Sequence, residues 1–137
     1  MMHKILLAFE PIPILSVALM IIVFNAIWYA PFAFGKLWLR YHRRLNKKLP
    51  EARLSIVFTL CTQLVTLWII NALQAGLGIT DFYNGVLLGL IIGLGLIGPF
   101  SAANAVYFGL PIRLWAMDFA HHLLGLTIAS GVLGAFH

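Results

Sequence analysis

Four stretches of this chain, about residues 12–30, 54–73, 84–108 and 114–136, are apolar for some twenty residues each and contain between them a single charged side chain, that of Asp118. A helix of about 20 residues crosses roughly 30 Å of hydrocarbon, so each stretch predicts a membrane span. The chain as a whole is 62% hydrophobic and 9% charged, whereas a water-soluble domain needs roughly a quarter of its residues charged to cover its surface. The expected fold is therefore all-α: a single polytopic domain with four transmembrane helices. Pro31 closes the first span, because a proline disfavours helical geometry in the residue before it. Residues 1–10 carry no small-residue cleavage motif, so the first run is expected to be retained rather than removed as a signal.

The charge is concentrated in one place. Lys36, Arg40, Arg43, Arg44, Lys47, Lys48 and Arg53 are seven of the nine Lys and Arg, and they account for the net charge of +5. Basic loops between spans stay in the cytoplasm, which places both termini outside and arranges the spans as two hairpins. Flanked by spans, this segment points to membrane rather than nucleic acid. Over about residues 34–49 it has a helical period, with Phe34, Trp38, Tyr41, Leu45 and Leu49 on one face and Lys36, Arg40, Arg43, Arg44 and Lys47 on the other. That pattern predicts an amphipathic helix in the headgroup layer, its basic face towards anionic lipids. Glycines and turn formers mark the remaining connections: Gly76, Gly78, Thr80, Asp81 and Asn84 on the outside, Gly109 and Pro111 on the inside.

Apolar side chains gain little by leaving lipid for one another, so spans associate through close backbone approach and hydrogen bonds. Gly85, Gly89 and Gly93 recur every four residues and predict a helix-packing stripe, here expected to be self-complementary and to favour a homo-oligomer, a dimer by default. Pro99 is expected to kink the third span and free the carbonyl of Gly95. Ser55, Thr59, Thr62 and Thr66 line one face of the second span, with Gln63 beside them, and are expected to face the bundle or an oligomer interface.

Counting about 1.5 Å per residue from the basic end brings Asn25, Gln63, Asn104, Asp118, His121 and His122 to similar depths. Asp118 lies three residues before His121 and four before His122, so its carboxylate can meet either imidazole. A charge buried in hydrocarbon costs about 2.5 to 3.5 kcal/mol on insertion scales, so such a group faces a partner or water. Adjacent histidines point about 100° apart on a helix and do not readily give one ion three ligands with Asp118. The lone Cys61 offers neither a disulfide partner nor a cysteine metal site. No metal and no cofactor are expected.

The run Asn25-Ala-Ile-Trp28-Tyr29-Ala-Pro31-Phe-Ala-Phe34-Gly35-Lys36-Leu-Trp38 resembles the signature of a family of small bacterial membrane proteins classed as a domain of unknown function. The glycine-rich third span, Pro99 followed by Asn104, and residues 118–124 resemble it too. The resemblance implies a four-span protein of the bacterial cytoplasmic (inner) membrane with no assigned activity, and marks Trp28, Tyr29, Pro31, Gly35, Lys36, Trp38, Pro99, Asn104 and His122 as pattern positions. Ala30 departs from a small hydroxyl residue, and His121 from an aromatic one. Trp28, Tyr29 and Trp38 suit the membrane interface in their own right, and Lys36 can snorkel to it. Two kinds of function remain open: a non-enzymatic oligomerising module that binds or conducts a small solute, ion or proton through the polar cluster, or a membrane-embedded enzyme using an Asp/His pair on a lipid-like substrate. An accessory subunit without chemistry is a third.

Overall fold

The computed structural model describes residues 10–44 and 51–137. Among the described residues six α-helices follow one another: α1 (Pro11–Trp28), α2 (Gly35–Arg44), α3 (Ala52–Leu77), α4 (Phe82–Ile92), α5 (Gly98–Tyr107) and α6 (Ile112–Gly134). A π-helical segment, Gly93–Ile97, joins α4 to α5. The fold is all-α, with no strand among the described residues. Four helical stretches are long and apolar enough to cross a membrane: Pro11–Trp28, Arg53–Leu77, Phe82–Tyr107 and Ile112–Gly134. Their outward faces carry large apolar residues such as Leu19, Phe58, Ile91 and Phe100, as a bilayer solvent allows.

Local chemistry sets the breaks. α3 runs through Gly76, where a turn was expected, and stops at Gly78, whose φ of 68° is a left-handed conformation that glycine adopts without steric cost. Asp81 then caps α4, its carboxylate accepting from the Asn84 backbone N–H at 2.9 Å and from the Asn84 side-chain amide at 2.6 Å. These bonds hold the Asp81 carboxyl below the usual carboxylate range, the backbone N–H having the larger effect. Pro99 does not break the third span outright. The chain widens by one residue into the π segment, and the Gly98 N–H reaches back five residues to the Gly93 carbonyl. Of the expected interfacial helix, α2 is the described part; positions 45–50, with Leu45, Lys47, Lys48 and Leu49, lie outside the described residues.

The glycine stripe is occupied within the chain. A Cβ on Gly85 would run into the Ser130 carbonyl, and one on Gly89 would stand 2.7 Å from the Thr127 Cα. α4 and α6 therefore meet backbone to backbone, and this is the most extensive packing in the molecule. The self-complementary dimer face expected of Gly85, Gly89 and Gly93 is corrected accordingly: α6 covers it, so it is not free for a second copy.

Burial is uneven along the spans. The core consists of Ile14, Val17, Ala18 and Ile21 of α1, Leu67 and Ile70 of α3, and Leu126, Ala129 and Leu133 of α6. On α3 every buried residue lies at or beyond Leu67, and none from Arg53 to Thr66 is buried. The spans close at the end where Glu10 and His137 stand 4.0 Å apart; towards the end that carries α2 it is α3 that stands away, while α6 stays buried at Leu114, Met117 and His121.

Candidate functional site

The motif between α1 and α2 builds one wall of the open end. The backbone folds into a tight turn in which Phe34 N–H bonds the Trp28 carbonyl at 3.0 Å and Gly35 N–H bonds the Ala30 carbonyl at 3.1 Å. Gly35 is required because a Cβ there would collide with the Tyr29 carbonyl. Pro31 sits exposed in the turn. The aromatic residues then tie α2 to the end of α1: Trp28 lies 4.6 Å from Phe34, Tyr29 is edge-on to Trp38 at 6.2 Å, and Trp38 stacks on His42 at 3.8 Å.

His121 projects from α6 into this wall. Its ring lies parallel to Phe24 at 5.3 Å and is flanked by Tyr29 at 5.1 Å and Trp28 at 5.6 Å. Nε2 is hydrogen-bonded with Asn25 Oδ1 at 2.7 Å, and Nδ1 is buried without a hydrogen-bond partner. One turn earlier, Asp118 Oδ1 accepts from the Tyr29 hydroxyl at 3.2 Å. The carboxylate makes no histidine ion pair among the described residues, although it lies within electrostatic reach of His122 and His42. The Asp118–imidazole contact expected from spacing along one helix is thus replaced by two ties between helices, Asp118 to Tyr29 and His121 to Asn25.

Behind these ties a cleft of about 240 Å³ opens between α1, α3 and α6. Asn25, Thr59, Thr62, Gln63, Thr66, His121 and His122 supply its polar lining; Ile21, Leu67, Ile97 and Leu126 are among its apolar walls. Gln63 Nε2 crosses to the Ala18 carbonyl at 3.0 Å. Thr62 donates to the carbonyls of Phe58 and Thr59, each at 3.0 Å, and Thr66 to that of Thr62 at 2.9 Å. Their protons satisfied within α3, these hydroxyls turn oxygen lone pairs outward. His122 is exposed, its ring 5.1 Å from that of His121. A second groove of about 350 Å³ between α1 and α3 shares Asn25, Thr59 and Gln63 with the first. Among the described residues no group of three His, Cys, Asp or Glu is placed to hold a metal ion.

Over residues 12–134 the sequence matches the family described as a protein of unknown function, DUF1761. The chain belongs to that family. Comparison with curated proteins and with solved structures found no significant match.

In this DUF1761 chain, two expected members of the cluster do not line the cleft: Asp118, which is tied to Tyr29, and Asn104. Asn104 is exposed on α5 and does not line the cleft. Depth counting gives a residue's height along the bundle and not the direction in which it faces. Ser101 faces α6 instead, where the Trp115 indole N–H donates to its hydroxyl at 3.1 Å.

Sequence reasoning also missed a second polar group, at the closed end. Gln74 Nε2 donates to the Ser130 carbonyl at 2.7 Å and to its hydroxyl at 3.1 Å, and the Ser130 hydroxyl donates to the Gly85 carbonyl at 2.7 Å. Asn71, Gln74 and Ser130 are all completely buried. A signal was present: Leu67, Ile70, Asn71 and Gln74 fall at i, i+3, i+4 and i+7, the spacing of one buried helical face.

Proposed function

We propose that this chain is a non-enzymatic membrane module that takes up a proton or a small polar solute in the cleft between α1, α3 and α6. One observation carries this reading: polar side chains from three spans converge on a single cleft in the half of the bundle where α3 buries nothing. Polar groups that served only to join helices would be enclosed between them, as Gln74 and Ser130 are. The lining has no fixed charge. It combines amides, outward-facing hydroxyl oxygens and an accessible imidazole, His122, which suits a hydrogen-bonding neutral solute or a proton. By the rule that basic segments stay in the cytoplasm, the cleft opens in the cytoplasmic half of the membrane, with both ends of the described chain on the far side.

The enzyme reading is less well supported, since the carboxylate it would use to orient an imidazole is engaged by Tyr29. Asp118 and Tyr29 act here as a tie that holds the α1 end against α6.

The proton is the probe that tests the site directly. With the full chain in lipid bilayers, NMR across pH 5 to 8, the range in which imidazole takes up a proton, is expected to show the Gln63 side-chain amide signal moving with pH. In His122→Gln the Gln63 response is expected to vanish, whereas Asp118→Asn, which still offers Tyr29 an acceptor, is expected to keep it. A Gln63 signal indifferent to pH in the native protein would overturn the reading.

A further inference from the structure

α2 presents a surface that is separate from the cleft. Lys36, Arg40, Arg43 and Arg44 are exposed and, with Leu39, line one groove of about 460 Å³; none of them lines the cleft. They fall at i, i+4, i+7 and i+8, so the helix itself gathers them into one stripe some 12 Å long. The helix contains no acidic residue, and no carboxylate pairs with these four among the described residues. Four cations this close repel one another, so the stripe invites an anion from outside.

The placement of α2 says which anion. Its other face is fastened by the half-buried Trp38 and by the packing of Trp28, Phe34 and Tyr29, which fixes the rotation of the helix about its own axis. The turn of residues 29–34 is short, so α2 begins where the first apolar stretch ends, and the end of a span is where a helix meets the headgroup layer. Leu39 sits among the cations, exposed like them. A stripe for nucleic acid or free phosphate has no use for that leucine, whereas an amphiphile meets it with its glycerol and upper acyl carbons.

We propose that the Lys36–Leu39–Arg40–Arg43–Arg44 stripe of α2 is a docking surface for anionic phospholipid headgroups, with the guanidinium and ammonium groups on the lipid phosphate and Leu39 against its apolar shoulder. Arginine suits the part because its fork of donors matches phosphate oxygens.

The test uses the full chain, stripped of lipid in detergent and offered equal amounts of phosphatidylglycerol and phosphatidylcholine, with bound lipids counted by native mass spectrometry. The native protein is expected to retain the anionic lipid at least tenfold over the zwitterionic one. Each cation replaced by Gln is expected to lower that preference about fivefold until it reaches unity, the equivalent of about 1 kcal/mol per basic residue near a membrane surface. The variant carrying Lys36→Gln, Arg40→Gln, Arg43→Gln and Arg44→Gln together should show none, while Lys36→Arg with Arg40→Lys, which conserves charge, should keep most of it. Circular dichroism of each variant checks that the helices are intact. Preference for neither lipid in the native protein, or an undiminished preference in the fourfold variant, would sink the proposal. So would displacement of the lipid by millimolar inorganic phosphate or by a short oligonucleotide, which would assign the stripe to a soluble anion.

Discussion

Gln63 and Gln74 are the same residue on the same helix, about 16 Å apart along α3, and their surroundings differ completely. Gln74 is fully buried, its amide wedged against Ser130, where α6 meets both α3 and α4. Gln63 holds the α1 backbone through one bond and otherwise faces open space on two sides of the helix. At the closed end, glycines let backbones approach and polar groups are sealed between them. At the open end, α3 stands away, and the same chemistry becomes the wall of a cleft. A polar side chain within a membrane is thus structural or available according to how closely the helices around it meet, not according to its type.

The contrast predicts a graded response to substitution. The largest effect is expected from Gly85→Leu, which drives a side chain into the Ser130 backbone; overpacking typically costs 1 to 3 kcal/mol, and a collision with main chain belongs at or above the top of that range. Unfolding in mixed detergent micelles would measure it, and a loss below about 1 kcal/mol would mean that α4 and α6 do not pack as described.

Gln74→Leu is expected to cost less, about 1 kcal/mol. It removes two interhelical hydrogen bonds, which are individually modest in membrane proteins, but it also removes Oε1, an acceptor buried without a partner. The same unfolding assay applies, and a gain in stability would show that the buried amide is a liability rather than a tie.

Thr62→Val should change stability least, by under about 0.5 kcal/mol, because the hydroxyl is exposed and bonded only within its own helix. A cost equal to that of Gln74→Leu would erase the distinction between the two ends. It would mean that something covers the open half of α3.

Several features of the site were legible because they depend on residues close in sequence. The end of the first span at Pro31 is local, and so is the segregation of cations on α2. The partners of Asp118 and His121 were not legible, because helical spacing reveals which side chains share a face and not what stands opposite. Spacing paired Asp118 with a histidine of its own helix; the arrival of Tyr29 and Asn25 from α1 gave each group a different partner. Asn104 was misplaced for a related reason: depth along a span does not say which way a side chain faces, and this one is exposed away from the cleft.

What the sequence by itself determined is that the chain is all-helical and holds four stretches long and apolar enough to cross a membrane, since length and hydropathy along a helix are set against a bilayer of known thickness. It also determined where charge could gather. Only the tertiary structure decided that the glycine stripe is used within the chain, that Gln74 is sealed while Gln63 is open, and that α3 buries nothing over its half nearer α2. The physical reason is that in lipid the apolar face of a helix carries little information about its neighbour. Which helices touch is settled by shape and by hydrogen bonds between residues far apart in the chain.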